Sequence, residues 1–171
     1  MTKAGSITPS VRLRKLEPED LPLLYEWEND SSVWQEGDTH NPLSQADLRD
    51  YILRTTGDIY QDGQLRLIIC EDTDSAPVGC VDLYDVDIRN RKAAVAIYID
   101  PRHRHKGLAQ QALNLLKTYA SHILCFRLLY AYVRKENFNS KNTFESVGFQ
   151  NVACLPGWVV EGDIFVLQTT L

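Results

Sequence analysis

Between Leu108 and Ile123 the residues Leu108, Ala112, Leu115, Leu116, Tyr119 and Ile123 recur with the 3.6-residue period of an amphipathic helix. This helix constrains the fold most, because the segments around it have a different period. Leu65 to Cys70, Val78 to Val86 and Lys92 to Ile99 read as three strands joined by the turn-rich stretches DTDSAP and IRNRK, an antiparallel meander that Pro101 stops. After the helix, Phe126 to Val133 returns to strand and Ser140 to Val147 fits a short helix ending at Gly148. Val152 and Ile164 to Leu167 supply two closing strands around a Pro156-Gly157 turn. Upstream, Val11, Leu13 and Leu16 suggest a first strand. Glu17-Pro18-Glu19-Asp20 has the early proline and acids of a helix start, with Leu21, Leu24 and Tyr25 on one face. Ser44, with Asp47 three residues on, matches a capping box opening a second helix whose Leu48, Tyr51 and Ile52 share a face. The order β-α-α-β-β-β-α-β-α-β-β predicts a mixed α/β sheet rather than a doubly wound one.

The 171 residues, 44% of them apolar, can bury a full core, and no repeat or Gly/Ser/Pro-rich linker divides them. The expected layout is a loose tail over 1–10 and a single domain over 11–171. No apolar stretch approaches the roughly 18 uncharged residues of a membrane span. The opening MTKAGSITPS lacks the apolar stretch and small-residue pattern of an export signal, which points to the cytoplasm. Cys70, Cys80, Cys125 and Cys154 lie in or beside apolar runs with no C-x-x-C pair, so reduced, buried thiols are expected and neither zinc nor disulfides. The net charge of −5 argues against a nucleic-acid partner but hides an asymmetry. From Leu16 to Asp87 there are 18 acids and three bases (Arg49, Arg54, Arg66), whereas Ile88 to Leu171 carries five acids and 11 bases. Such a chain could offer its second half to an anionic ligand and its first to a cationic one. The plainer alternative is solvated surface.

Chemistry concentrates where the third meander strand meets the long helix, in Ile97-Tyr98-Ile99-Asp100-Pro101-Arg102-His103-Arg104-His105-Lys106-Gly107-Leu108-Ala109. Free N–H groups at a helix start, with the positive end of its dipole, make a phosphate cradle. Gly107 lets the backbone approach a ligand, and Arg102, Arg104 and Lys106 add charge for several phosphate groups. Neither G-x-x-x-x-G-K-S/T nor G-x-G-x-x-G is present, so nucleotide hydrolysis and hydride transfer lose their usual signatures. His103 and His105 read as solvated loop residues rather than proton carriers.

The run Arg104-His105-Lys106-Gly107-Leu108-Ala109 resembles the acyl-CoA motif Q/R-x-x-G-x-G/A of the GCN5-related N-acetyltransferases. Two further matches follow in order. Asn137-Phe138-Asn139-Ser140 ahead of Phe144-Glu145-Ser146-Val147-Gly148-Phe149 is similar to the family's N-x-x-S/A and E-x-x-G-F, and Leu13-Arg14-Lys15-Leu16-Glu17-Pro18-Glu19-Asp20 is similar to its opening. The resemblance, closest to the polyamine and ribosomal-protein branch, implies the GNAT fold: a mixed, mostly antiparallel seven-stranded sheet flanked by four helices and splayed between the fourth and fifth strands. It implies acetyl-CoA as co-substrate, with pantetheine along the backbone of Ile97, Tyr98 and Ile99. The pyrophosphate is then held at Arg104, His105, Lys106, Gly107, Leu108, Ala109 and Gln110, with Asn137, Ser140 and Phe144 completing the cofactor site.

Acetyl transfer to an amine needs a polarised carbonyl, a neutral nucleophile and a proton for the departing thiolate. A backbone N–H within Ile97 to Ile99 suits the first role, and Asp82 or Asp85 the second, with Glu36 behind them. Being an odd number apart, Asp82 and Asp85 are expected on opposite faces of a regular strand. For the third role, polyamine acetyltransferases usually carry tyrosine in Y-E-x-x-G-F, where this chain has Phe144. Ser140, as in the ribosomal-protein branch, or water must then serve. Trp27, Trp34 and Tyr84 offer an aromatic wall for an aliphatic amine, with core packing as the plainer role. The expected substrate is a primary amine of a small polycation such as a diamine or spermidine. Protein N-termini, aminoglycosides and a non-catalytic acyl-CoA module are the alternatives, self-association is left open, and no membrane or metal is implied.

Overall fold

The computed structural model describes residues 10–34, 41–72, 75–160 and 162–171. Strand β1 (Val11–Lys15) leads through a 3-10 turn at Pro18–Asp20 into α1 (Leu21–Glu28), the single turn α2 (Ser31–Trp34), α3 (Gln45–Arg54) and a second single turn, α4 (Ile59–Asp62). The meander β2 (Leu65–Glu71), β3 (Pro77–Asp87) and β4 (Lys92–Ile99) follows. The chain continues through α5 (Leu108–His122), β5 (Leu128–Arg134), α6 (Phe138–Ser146), β6 (Gln150–Val159) and β7 (Gly162–Thr170). Among the described residues, the helices of eight or more residues are the four expected, and the single turns α2 and α4 are additions.

Local chemistry explains the starts and stops. Both oxygens of Asp20 accept from the Arg14 guanidinium at 2.7 Å, and one accepts from the Glu17 N–H at 2.9 Å, which ties the 3-10 turn to β1. Ser44 and Asp47 form the predicted capping box of α3. Asp58 caps α4, and Gly63 ends it in the left-handed region at φ 69°. Of the expected tail only Ser10 is described, and its carbonyl accepts from the Asp72 N–H at 2.9 Å.

The seven strands run in the order β1-β2-β3-β4-β5-β7-β6, antiparallel throughout except for β4 beside β5. Those two pair only from Lys92 opposite Leu128 to Ala94 opposite Tyr130. Beyond that point they part, so Val95 to Ile99 have no strand partner on that side, which is the expected splay. One face of the sheet carries Leu65, Leu67, Val81, Leu83 and Val95 against Leu108, Ala112, Leu113 and Leu116 of α5. The other face packs Ile68, Cys70 and Cys80 against Trp27 of α1, while Leu24, Leu48 and Ile52 join α1 to α3.

Three expectations need correction. Pro156-Gly157 is not the hairpin turn: it lies inside β6, where pairing shifts between Leu155 opposite Ile164 and Val159 opposite Gly162. Gly157 takes φ 63° and its N–H donates to Asp163, so the residues suited to a turn form a bulge instead. Cys125 and Cys154 are exposed, whereas Cys70 and Cys80 are buried, and burial pushes the Cys80 thiol up to about 12. His103 is only partly solvated: its side chain is 27% exposed, but its Nδ1 is buried 4.0 Å from an Asp100 oxygen. Among the described residues no helix is long and apolar enough to cross a membrane.

Candidate active site

β4 ends at Ile99, and Asp100 turns the chain toward α5. Its carboxylate is buried and accepts from the Arg102 N–H at 2.9 Å, from the Arg102 guanidinium and from the Trp27 indole N–H at 3.1 Å. The Arg102 hydrogen bonds hold the Asp100 carboxyl well below the usual carboxylate range against the opposing effect of burial. Arg102 also meets Glu26 of α1 at 3.0 Å, so its charge is committed to this turn rather than free for phosphate as expected. Arg104 donates from Nε to the Ile99 carbonyl at 2.9 Å and lies 5.9 Å over the Tyr98 ring. His105 and Gly107 both adopt positive φ, 64° and 75°, on the approach to the first turn of α5.

No side chain caps that turn, leaving the N–H groups of Leu108, Ala109 and Gln110 at the positive end of a 15-residue helix. A Cβ at position 107 would meet nothing within 4 Å, so the residue that precedes these donors borders open space. The set suits a diphosphate, with Lys106 exposed beside it. From there the unpartnered edge of β4 runs down the splay as a template for an amide-bearing chain. On its other side β4 lies close against β3, where a Cβ at Gly79 would lie 2.1 Å from the Tyr98 carbonyl. These features fit acetyl-CoA.

On the sheet face beneath α1 and α3, Asp82 of β3 lies directly opposite Ala96 of β4. Both its oxygens accept from Arg66 of β2, at 2.7 and 2.8 Å, and the same guanidinium binds Glu28 at the end of α1. Tyr51 of α3 stacks on Arg66 at 5.8 Å. Burial alone would weaken the Arg66 charge, but attraction to its acidic neighbours, Asp82 foremost, keeps its pKa well above the ordinary value. A cavity of about 230 Å³ opens beside this cluster, lined by Tyr51, Gln64, Arg66, Asp82 and Tyr84 among others.

Asp85 does not obey strand alternation. It adopts φ 48° at an irregularity between Tyr84 and Asp87, and its carboxylate accepts from the Tyr130 hydroxyl at 2.6 Å. Tyr130 and Tyr84 both lie opposite Ala94, two residues from Ala96, so the bulge brings Asp85 to the face that carries Asp82 instead of the opposite one. Burial, then the bond to Asp85, push the Tyr130 phenol upward. Trp34 donates from its indole to the Glu28 carbonyl at 2.9 Å, and Trp27 is core. Glu36 lies outside the described residues.

Across the splay, Asn137 caps α6, its Oδ1 accepting from the Ser140 N–H at 2.9 Å, and this sets Ser140 on the helix's first turn. Phe144, one turn further, is buried with its ring edge-on to Phe149, centroids 4.9 Å apart. Sequence reasoning missed Arg66, Glu28, Tyr51, Tyr130 and the Trp27–Asp100 bond. Arg66 alone left a signal, as the only basic residue of β2 and β3.

Residues 10–150 match the acetyltransferase (GNAT) domain family. The spermidine N(1)-acetyltransferase of Escherichia coli K12 is 31% identical over 143 residues, 82% of this chain and 73% of that protein. The crystal structure of spermidine N-acetyltransferase from Vibrio cholerae in complex with CoA and spermine superposes with a TM-score of 0.84 at 22% identity, covering 94% of this chain and 95% of the other. A dodecameric structure of the Vibrio cholerae enzyme in an intermediate state gives a TM-score of 0.79 at 22% identity over 94% of each chain. The chain belongs to the GNAT family of acetyltransferases, enzymes that take their acetyl group from acetyl-CoA.

Proposed function

We propose that this acetyltransferase acts on a primary amine of a small polycation such as a diamine or spermidine. One observation carries the reading: Asp82 and Asp85 of β3 share a sheet face, Glu28 of α1 joins Asp82 there through Arg66, and Asp82 lies opposite Ala96 in the part of β4 unpartnered by β5. Carboxylates there attract a cationic acceptor to the strand along which pantetheine would lie. The spermidine-acting relatives support the same substrate class.

In this reading the backbone of Ile97, Tyr98 and Ile99 holds the pantetheine and polarises the thioester carbonyl, while Arg104 to Gln110 hold the pyrophosphate. Asp82 takes the proton of the incoming ammonium through water, releasing the lone pair that attacks the carbonyl carbon. Asp85 orients the acceptor from the bulge, and Tyr84 and Trp34 wall its aliphatic part. As the C–S bond breaks, the excess proton of the newly acylated nitrogen passes through the Ser140 hydroxyl to the departing thiolate, so that Ser140 ends as a hydroxyl, a role that Phe144 has no hydrogen to fill. Self-association into larger assemblies, as in the dodecameric relative, belongs to the same proposal.

The decisive assay follows thiol release from acetyl-CoA against putrescine, spermidine, spermine, an aminoglycoside and short peptides with free N-termini. Fast release with the diamine or polyamines supports the reading. Fast release with peptides alone replaces it with protein N-terminal acetylation, and tight acetyl-CoA binding without turnover on any amine replaces it with a binding module.

A further inference from the structure

The amine site contains a cation of its own. Arg66 is held by both oxygens of Asp82, by Glu28 and by the Tyr51 ring, and it lines the 230 Å³ cavity. Two carboxylates and an aromatic face are also what recognise an alkylammonium ion. The three charged side chains are about one-fifth exposed, 19% for Arg66 and 20% for each acid, and Arg66 and Asp82 line the cavity, so a ligand there meets both. The cluster therefore presents two acids and one permanent base to whatever enters.

We infer that Arg66 is a specificity-determining residue, a built-in counter-cation that fixes Asp82 at the cavity wall, pairs with Glu28 at the end of α1 and cancels one of their two charges. The inference rests on the acetyl-transfer reading above. An acceptor must share these carboxylates with the guanidinium. The cluster then carries one unbalanced negative charge, enough for the amine end of the acceptor, and a second ammonium has to find its partner outside the cluster, at Asp85. Discrimination between polycationic and monocationic amines is thereby set by the protein's own arginine rather than by the number of acids nearby.

The test compares kcat/KM for spermine with that for a monoamine of similar length, in the full-length protein at fixed ionic strength. Arg66→Met keeps the side-chain bulk and removes the charge, and is expected to raise the spermine-to-monoamine ratio about tenfold, as one uncompensated charge at a partly desolvated contact should. Arg66→Lys keeps the charge and is expected to keep the wild-type ratio. Glu28→Gln removes a negative charge and should move the ratio about tenfold the other way. Acetyl-CoA binding measured by calorimetry identifies a variant that has failed to fold, and Glu28→Gln then stands in for Arg66→Met. Ratios unchanged in both charge-altering variants, or equally changed in Arg66→Lys and Arg66→Met, overturn the inference and leave Arg66 a purely structural residue. If the wild-type protein binds acetyl-CoA but no amine accelerates thiol release, the acetyl-transfer reading falls first, and that outcome is separate from unchanged ratios in an active enzyme.

Discussion

Asp82 and Ser140 carry the two proton transfers proposed for this enzyme, and each can be tested singly. Asp82→Asn leaves the Arg66 guanidinium with one of its two acidic partners, in a pocket about four-fifths buried. Breaking such a pair is expected to cost about 2 kcal/mol of stability and to lower kcat/KM for the amine about a hundredfold, read by denaturant unfolding and thiol release. Ser140→Ala removes a hydroxyl from the first turn of α6 without touching the Asn137 cap, which engages the Ser140 backbone N–H. A fall in kcat of about a hundredfold with the KM for acetyl-CoA unchanged is the expected result, whereas an undiminished kcat assigns the proton to water. At this scale the sequence was half legible. Asp82, Asp85 and Ser140 stood out because their residue types suit the chemistry. Arg66, Glu28 and Tyr130 did not, because their meaning comes from partners 16, 38 and 45 residues away.

Among the elements, the turn into α5 was the most readable, since its glycine, its cations and the period change all fall within one short run. Gly107→Ala places a side chain at φ 75° with no neighbour to clash, so its stability cost is the left-handed backbone itself, about 1 kcal/mol. The added methyl stands in open space beside the start of α5, where the pyrophosphate is proposed to bind, and the Kd for acetyl-CoA measured by calorimetry is expected to rise about tenfold. Leu113, 1% exposed under the middle of α5, anchors that helix to the sheet. Leu113→Ala should cost about 2–5 kcal/mol in chemical denaturation, and a cost below 1 kcal/mol would mean that the helix is held chiefly by other contacts. Two irregularities escaped prediction, the Asp85 bulge and the Pro156-Gly157 bulge. Each depends on a partner across the sheet, Tyr130 in one case and Asp163 in the other, which local propensity does not encode.

For the molecule as a whole, the charge asymmetry has two origins that the sequence could not separate. Many acids of the first half serve as local caps and turn braces: Asp20 holds Arg14, Asp47 pairs with Ser44, Asp58 caps α4, and Asp87 binds Asn90. Only a few gather at the amine site. The braces predict an acid limit. Asp20 and Asp100 both have folded-state carboxyl pKa values below the unfolded ones, so the folded protein binds fewer protons and their contribution is complete above about pH 5. As the pH drops below about 4 this contribution is lost progressively. Thermal unfolding is expected to show a level midpoint between about pH 5 and 6 and a decline below about pH 4, and Asp20→Asn should flatten part of that decline.

The strand order β5-β7-β6 bears on how the chain is made. During synthesis β6 leaves the ribosome before β7, yet β7 is its only partner among the described strands and also fills the seat beside β5. Until β7 follows, the nascent protein therefore presents two unsatisfied edges, β5 and a β6 that carries Val152, Leu155 and Trp158. The strand made after β6 is thus the one that joins it to the sheet, and any pause between the two exposes a sticky intermediate to chaperones and to aggregation.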